Sequence, residues 1–417
     1  MILTDFKNFF NQCKAQDFGF YMVAGYLIFS YLRPQVIFPA LDFLPWTQLC
    51  IMSGLVYCAI KKHLNFQLPH LALIIFSLIC LISALNSYYP DYSLSKVDTI
   101  FIWTLELFFF TSCIRNPIQF RLITILFFLI LFKISFFGAR TWVERGFGFR
   151  DYGIAGPTGF FANSGELSLL IAMLTVMSIA FYSANKPIKR VYYLLPITCI
   201  MTVLAASSRG GQLSLLVGVL LIAIIIEKLK FKNLVIMILV ASLSFTLIPE
   251  KQKERFQSSG DDKTSQTRLI YWGAGLEMAK EHPWFGVGFY GFPTYFYEHY
   301  SDALLGESEW GHRREASHNT LIELGSTTGY LGLTCFIWLY WIIFSLNRKT
   351  RKLLKSSAKN ITTSWMHTYS IGLDISMVTF FIGSFFMSVA FYPYIYFMLM
   401  FSLSMNNAVK NEIAKES

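Results

Sequence analysis

A chain of 417 residues in which 54% are hydrophobic and only 14% are charged is too apolar for a set of water-soluble domains. The net charge of +10 comes from short Lys and Arg clusters between apolar runs, not from one basic face, which argues against nucleic-acid binding. Apolar runs of about 17–25 residues recur along the chain, and each can cross a bilayer as a helix.

The composition therefore predicts an all-α polytopic membrane protein with about twelve transmembrane helices. The first residues, 1–17, contain no compact apolar core followed by a small-residue cleavage site, so we expect no removable signal peptide. The predicted spans are 18–32, 46–60, 68–85, 98–114, 119–137, 165–183, 191–206, 211–226, 232–248, 328–346, 371–390 and 392–406.

Basic residues fall in alternate loops, from Lys61 and Lys62 through to a dense cluster at 348–359. The positive-inside rule then places both termini on the cytoplasmic side of the membrane. Residues 1–248 hold the first nine predicted helices, and residues 328–417 hold the last three helices and a cytoplasmic tail. Between them, residues 249–327 form one large, mainly helical periplasmic loop, in which two Gly-rich turns predict sharp changes of direction.

Ionisable groups inside spans are costly and usually functional, and four are candidates here: Glu106, Lys133, Glu166 and Arg209. Lys133 could simply extend its long side chain to the interface. Glu106 could serve a structural hydrogen bond or take part in chemistry, and Glu166 could cap its helix. Arg209 lies in a very short outer turn, Ser-Ser-Arg-Gly-Gly, where positive charge is disfavoured, so it needs an anionic partner: a ligand phosphate or a carboxylate.

The long loop carries a further cation, Arg268, and an imidazole, His318, followed by Asn319. A guanidinium can bind phosphate oxygens with a planar pair of donors, and an imidazole can take a proton from a sugar hydroxyl. Arg313 and Arg314 could hold a second anion or form an exposed charge pair. The histidines show no metal-ligand spacing, and the seven cysteines show no CxxC pair, so we predict no metal site, no cofactor and buried, inert thiols.

The order of an SRGG turn, an R-x3-W segment, HPWFGVGF and HN-x-L-I-E-x-G-x3-G-x-L-G within about twelve spans resembles the O-antigen ligase superfamily, which includes O-antigen and exopolysaccharide polymerases. The resemblance is strongest from about 200 to 335, and the early stretch from Arg33 to Pro45 is also similar. It implies a glycosyltransferase that acts on undecaprenyl-diphosphate-linked glycan without a metal.

By this resemblance, Arg209 and Arg268 hold the diphosphate, His318 is the base, and Asn319 orients the site. Four further charged residues are supporting candidates because of their charge and position: Glu166, Lys133, Arg313 and Arg314. The implied acceptor is lipid A-core for an O-antigen ligase, or a lipid-linked repeat unit for a polymerase, and the motifs do not choose between them. A small-anion transporter is the competing class, but transporter sites usually lie near the midplane and here the polar signals concentrate at one face.

Overall fold

A computed structural model describes residues 2–148, 153–156, 159–185, 190–229, 263–303, 314–356 and 361–416. Helices dominate these ranges, and no strand occurs within them. The helices are α1 (Ile2–Lys14), α2 (Phe18–Leu27), α3 (Pro34–Ile37), α4 (Trp46–Ile60), α5 (Leu68–Leu85), α6 (Pro90–Leu94), α7 (Asp98–Cys113), α8 (Pro117–Glu144), α9 (Ser164–Ala184), α10 (Leu194–Ala205), α11 (Arg209–Ile225), α12 (Lys263–Glu281), α13 (Phe292–His299), α14 (Thr320–Ser356), α15 (Ile361–Ser384) and α16 (Pro393–Glu416).

The all-helical class is confirmed for the described ranges, because each predicted span that they contain coincides with a helix. The first span comprises α2 and a π-helical turn, Ile28–Leu32, and the predicted span 232–248 lies outside the described residues. Five helices are long and apolar enough to cross a membrane: Pro39–Ile60, Leu68–Leu85, Pro117–Glu144, Ser164–Ala184 and Thr320–Ser356. The protein is thus a multi-pass membrane protein, while the number of spans stays a prediction.

The cysteines follow the prediction of buried thiols in all but one case. Cys50, Cys58, Cys80, Cys113, Cys199 and Cys335 are buried free thiols, and Cys13 is half-buried.

One predicted span runs past the end of its helix. The span 371–390 was predicted as continuous helix, yet α15 ends at Ser384 and the chain runs without regular structure from 385 to 392 before α16 begins. The apolar sequence gives no sign of this break. Two side chains of α14 replace the missing helical bonds: the Thr320 hydroxyl accepts from Val389 N at 3.2 Å, and the Glu323 carboxylate accepts from Ala390 N at 3.2 Å. Non-helical backbone is tolerated in a membrane only where such partners exist.

The segment between 263 and 303 is mainly helical, as predicted, and has its own small apolar core. Tyr271 and Met278 of α12 pack with Phe292 and Phe296 of α13 and with Val287 of the connection between them. The core buries one face of each helix. Together with α14, which packs along α12, it holds the segment over the end of the helical bundle where α14 begins.

The two glycine-rich turns, Gly286 to Gly291 and Gly325 to Gly332, pack into each other. Helix α14 is broken at Gly329, whose φ of 66° and ψ of −172° are not helical. The connection after α12 fits into the break, since Tyr330 N donates to Pro283 O at 2.7 Å and Val287 N donates to Ser326 O at 2.8 Å. Gly286, with φ of 67°, makes the sharp turn in that connection. The predicted changes of direction at these glycines are therefore confirmed.

Candidate functional site

His318 lies immediately before the start of α14, in a left-handed conformation with φ of 54°. A non-glycine residue with positive φ is uncommon and must be held there by its surroundings. Its Nε2 atom lies 3.7 Å from Oε2 of Glu315, and its side chain remains about one-third exposed, at 34%. A neighbouring carboxylate can fix the orientation of an imidazole. His318 is therefore accessible and oriented, which a proton-accepting side chain requires.

The ring of Tyr271 lies beside the His318 imidazole. The two ring centroids are 6.5 Å apart, and Tyr271 is almost fully buried. Burial, with a smaller contribution from the charge of Glu315, raises the pKa of Tyr271 to about 12. The phenol therefore stays protonated at neutral pH. Its hydroxyl oxygen is buried without a hydrogen-bond partner among the described residues.

Asn319 caps the helix that follows His318. Its Oδ1 atom accepts hydrogen bonds from Leu321 N at 2.9 Å and Ile322 N at 3.2 Å, and the side chain is buried. Such a cap satisfies backbone donors that a helix start leaves open. Asn319 therefore fixes the backbone directly after His318, while its roles in orienting the site and in a reaction stay predictions.

Helix α12 brings Arg268 to the same region. Trp272, one helical turn after Arg268, donates from Nε1 to the carbonyl of Ser317 at 3.0 Å. The R-x3-W segment is thus joined to the residue that precedes His318. The Ser317 hydroxyl in turn contacts the Ser388 hydroxyl at 3.1 Å, in the non-helical segment between α15 and α16.

The turn that contains Arg209 packs against that non-helical segment from another side. It is the first residue of α11, after Ser208, whose hydroxyl accepts from Gly211 N at 3.4 Å. The two glycines that follow allow close packing: a Cβ on Gly210 would lie 2.8 Å from Phe386, and one on Gly211 would lie 2.0 Å from the Ser168 hydroxyl. Since Thr320 also bonds Met387, the SRGG turn and the HN motif pack against adjacent residues of one segment.

Glu166 lies in the first turn of α9, next to the segment on which the SRGG turn and the HN motif both pack. Asn163 caps the helix by accepting from Gly165 N at 2.8 Å, and the Glu166 carboxylate accepts from the Asn163 backbone, so the predicted capping interaction exists. The same carboxylate also hydrogen-bonds Tyr392, which directly precedes α16. Glu166 therefore links α9 to the non-helical segment.

Glu323 is a second carboxylate here, and it was missed from the sequence. It lies one turn after Asn319, is buried, and is close enough to Glu166 for the two charges to interact. The predicted span began at 328, which assigned Glu323 to a solvated loop. The structure begins α14 at Thr320, so the glutamate of the HN-x-L-I-E motif lies inside the bundle.

The remaining candidates lie apart from this cluster or outside the described residues. Lys133 is exposed on α8, and no polar contact involves it within the parts of the chain that the structure describes. Arg314 lies 5.4 Å from the centre of the Tyr297 ring, a cation–π contact, and is exposed. Arg313 is outside the described residues. The described ranges contain no group of three His, Cys, Asp or Glu residues that could hold a metal ion.

These contacts define a multi-pass membrane protein in which the SRGG turn, the R-x3-W segment and the HN motif meet at one end of a helical bundle. Residues 194–337 match the family model described as O-Antigen ligase, which confirms the resemblance to the O-antigen ligase and polymerase superfamily. The match covers the segment in which the resemblance is strongest, and it supports a function of ligase or polymerase type. No curated protein gives a significant match to the sequence.

Proposed function

We propose that the protein transfers a glycan from undecaprenyl diphosphate to an acceptor hydroxyl at the periplasmic face of the inner membrane. As an O-antigen ligase in lipopolysaccharide biosynthesis, it would use lipid A-core as acceptor. The observation that carries the proposal is the shared packing of the SRGG turn and the HN motif on residues 386–388, with the R-x3-W segment joined to the same motif through Trp272.

His318 is the proposed base. Its Nε2 atom faces Glu315, so the other ring nitrogen takes the proton of the acceptor hydroxyl. The hydroxyl oxygen bonds to the anomeric carbon while the bond from that carbon to the diphosphate oxygen breaks, and its electron pair leaves with undecaprenyl diphosphate. Direct displacement inverts the anomeric carbon. Glu315 stabilises the imidazolium that forms, as the carboxylate does in Ser-His-Asp triads.

Arg209 and Arg268 are the proposed diphosphate ligands. Negative charge develops on the leaving diphosphate, and fixed donors placed where charge develops typically lower the barrier by about 3–4 kcal/mol each. Two guanidinium groups supply this positive charge in a metal-independent reaction. The lipid tail stays among the helices while its head group meets a hydrophilic acceptor, which requires a site at the end of the bundle.

The test is transfer from an undecaprenyl-diphosphate glycan to lipid A-core by purified protein, with a chelator present. We expect His318→Ala to lower the rate by about 10²–10⁴-fold, and Arg209→Ala or Arg268→Ala by about 10²–10³-fold. Lys280→Ala is the matched control, since it removes an exposed cation from the helix that carries Arg268 and should leave the rate unchanged. Full activity of the folded His318 and Arg209 variants would contradict the proposed roles.

Polymerisation is the second candidate, because the family match covers both activities. Deleting the gene separates the two. Loss of all long glycan from lipid A-core indicates a ligase, whereas attachment of single repeat units indicates a polymerase. If wild-type protein transfers to neither acceptor yet moves small anions into liposomes, the transporter class replaces both.

A further inference from the structure

A cavity with several polar side chains in its lining lies between α2, α4, α7 and residues 159–161, apart from the His318 site. Its volume is about 380 Å³. Cavities of about 300–1,000 Å³ are the size range of small-molecule sites. It extends from the end of the bundle that carries residues 33–48 to Glu106, two turns into α7. The proposed transfer step does not account for it.

Three of the polar side chains that line this cavity are suited to bind a ligand. Glu106 is 4% exposed and hydrogen-bonds Tyr26. Gln35 donates to Phe29 O at 3.0 Å, while its Oε1 atom is buried and has no partner among the described residues. Arg33 lines the wall beside Gly159, where a Cβ would lie 3.4 Å from its Nη1 atom. A buried carboxylate and an unused amide oxygen are acceptors for ligand hydroxyls, and the guanidinium is a donor.

Aromatic rings form the wall that faces the HN motif. The Trp103 ring stacks on Tyr396 with centroids 5.7 Å apart and lies 5.5 Å from Phe160. Phe160 in turn lies 5.1 Å from Tyr392, the partner of Glu166. Phe160 and Tyr392 therefore lie between this cavity and the carboxylates beside the proposed transfer site.

Among the described residues, the cavity also opens at the side of the bundle, between α4 and α7. Gln48 and Met52 of α4 and Leu105 of α7 line it and are exposed on the outer surface of the bundle. In a bilayer this surface contacts lipid, so a molecule anchored in the membrane could enter between α4 and α7. A site with hydroxyl acceptors, an aromatic wall and a lateral opening fits an amphipathic molecule with a sugar head group.

We propose that this cavity binds the sugar head group of the membrane-anchored acceptor, with Glu106 and Gln35 accepting from its hydroxyls and Trp103 against a sugar ring. The inference rests on the proposed function, because it assigns the second substrate of that transfer. The shared chemistry is a glycan on a lipid, and it could come from lipid A-core or from a lipid-linked repeat unit. Either would approach His318 past Phe160.

Two variants and one control isolate the cavity. Glu106→Gln keeps the size of the side chain but removes its charge. Gln48→Trp fills the lateral opening from an exposed position. Leu49→Trp adds the same bulk to the neighbouring exposed residue, which does not line the cavity. Binding is measured by native mass spectrometry of the full chain with three probes: rough-type lipopolysaccharide, undecaprenyl-diphosphate glycan, and undecaprenyl diphosphate without sugar.

We expect Glu106→Gln and Gln48→Trp to weaken binding of one glycan-bearing probe at least about tenfold, the first through loss of a buried hydrogen-bond acceptor and the second by blocking entry. Weaker binding of rough-type lipopolysaccharide identifies lipid A-core as the ligand. Weaker binding of undecaprenyl-diphosphate glycan identifies a lipid-linked repeat unit as the ligand. Leu49→Trp and binding of the sugar-free lipid should not change. Unchanged binding of both glycan probes, or an equal loss with the sugar-free lipid, would overturn the assignment.

His318→Ala keeps this experiment separate from the proposed reaction. That variant should bind the probes like wild type while failing to transfer. If it transfers normally and the cavity variants still lose binding, the proposed base is wrong but the cavity assignment stands.

Discussion

Replacing Gly329 by alanine tests the interlocked glycine turns most directly. The φ of 66° and ψ of −172° at this residue belong to a region that only glycine occupies readily. An added Cβ would also lie 2.4 Å from the carbonyl carbon of Trp284. Backbone strain of this kind costs about 1–3 kcal/mol. Displacing the connection would weaken the bond from Tyr330 N to Pro283 O, worth about 1 kcal/mol.

We therefore expect Gly329→Ala to lower the free energy of unfolding by about 2–4 kcal/mol. Gly325→Ala is the matched control, four residues earlier in the same helix. Its added Cβ would be 3.7 Å from the Ala279 Cβ, an ordinary contact. Because glycine is a poor helix residue, that variant should gain about 0.5–1 kcal/mol.

The measurement is equilibrium unfolding of detergent-solubilised protein, followed by circular dichroism of its helices. The two variants should shift the unfolding midpoint in opposite directions. Equal effects at the two positions would refute the idea that the break in α14 is a required feature, and would indicate that α14 can run continuously through Gly329.

Three further outcomes can be checked with the same protein. Asn319→Ala should destabilise the start of α14 by about 1 kcal/mol through loss of the cap, whereas Asn319→Ser should retain most of the stability; equal unfolding midpoints would argue against capping. Glu323→Gln keeps an acceptor for Ala390 N and should fold, while Glu323→Ala leaves that donor unpaired and should cost about 1–3 kcal/mol in thermal unfolding. Tyr271 has a pKa of about 12, above the value near 10 of an unfolded tyrosine, so its contribution to stability is full below about pH 10 and is lost as the pH rises towards 12. Tyr271→Phe should therefore unfold less readily than wild type at pH 11, and an identical alkaline loss in both proteins would contradict this.

Hydropathy was sufficient to locate the helices within the described residues, because the bilayer leaves few alternatives to helix for an apolar segment. It did not locate interruptions. Residues 385–392 are as apolar as the helices beside them, and the break depends on hydrogen bonds to Thr320 and Glu323, which lie 69 and 67 residues away in sequence from their partners. Long-range partners of this kind leave no local signal.

The candidate site was predictable to the extent that its motifs are local. His318, Asn319 and the SRGG turn were identified, but Glu315 and Glu323 were not. Asp374 shows that a charge inside a span need not mark a site. It lies in the predicted span 371–390, and the structure gives it an ion pair with Arg351 at 2.7 Å and a hydrogen bond from Asn347 at 2.8 Å. Charge inside a span therefore indicates a partner, and only packing shows whether that partner belongs to the protein.

The bonds from α14 to residues 389 and 390 also constrain biosynthesis. Thr320 and Glu323 are translated well before their partners, so the first turn of α14 enters the membrane with a carboxylate that lacks its backbone donor. Ribosomal elongation must pass residue 390 before this donor exists. Chains that stop near Ser384 would keep most of their helices but expose an unsatisfied acid in the bilayer, a defect that membrane proteases and insertion chaperones can recognise.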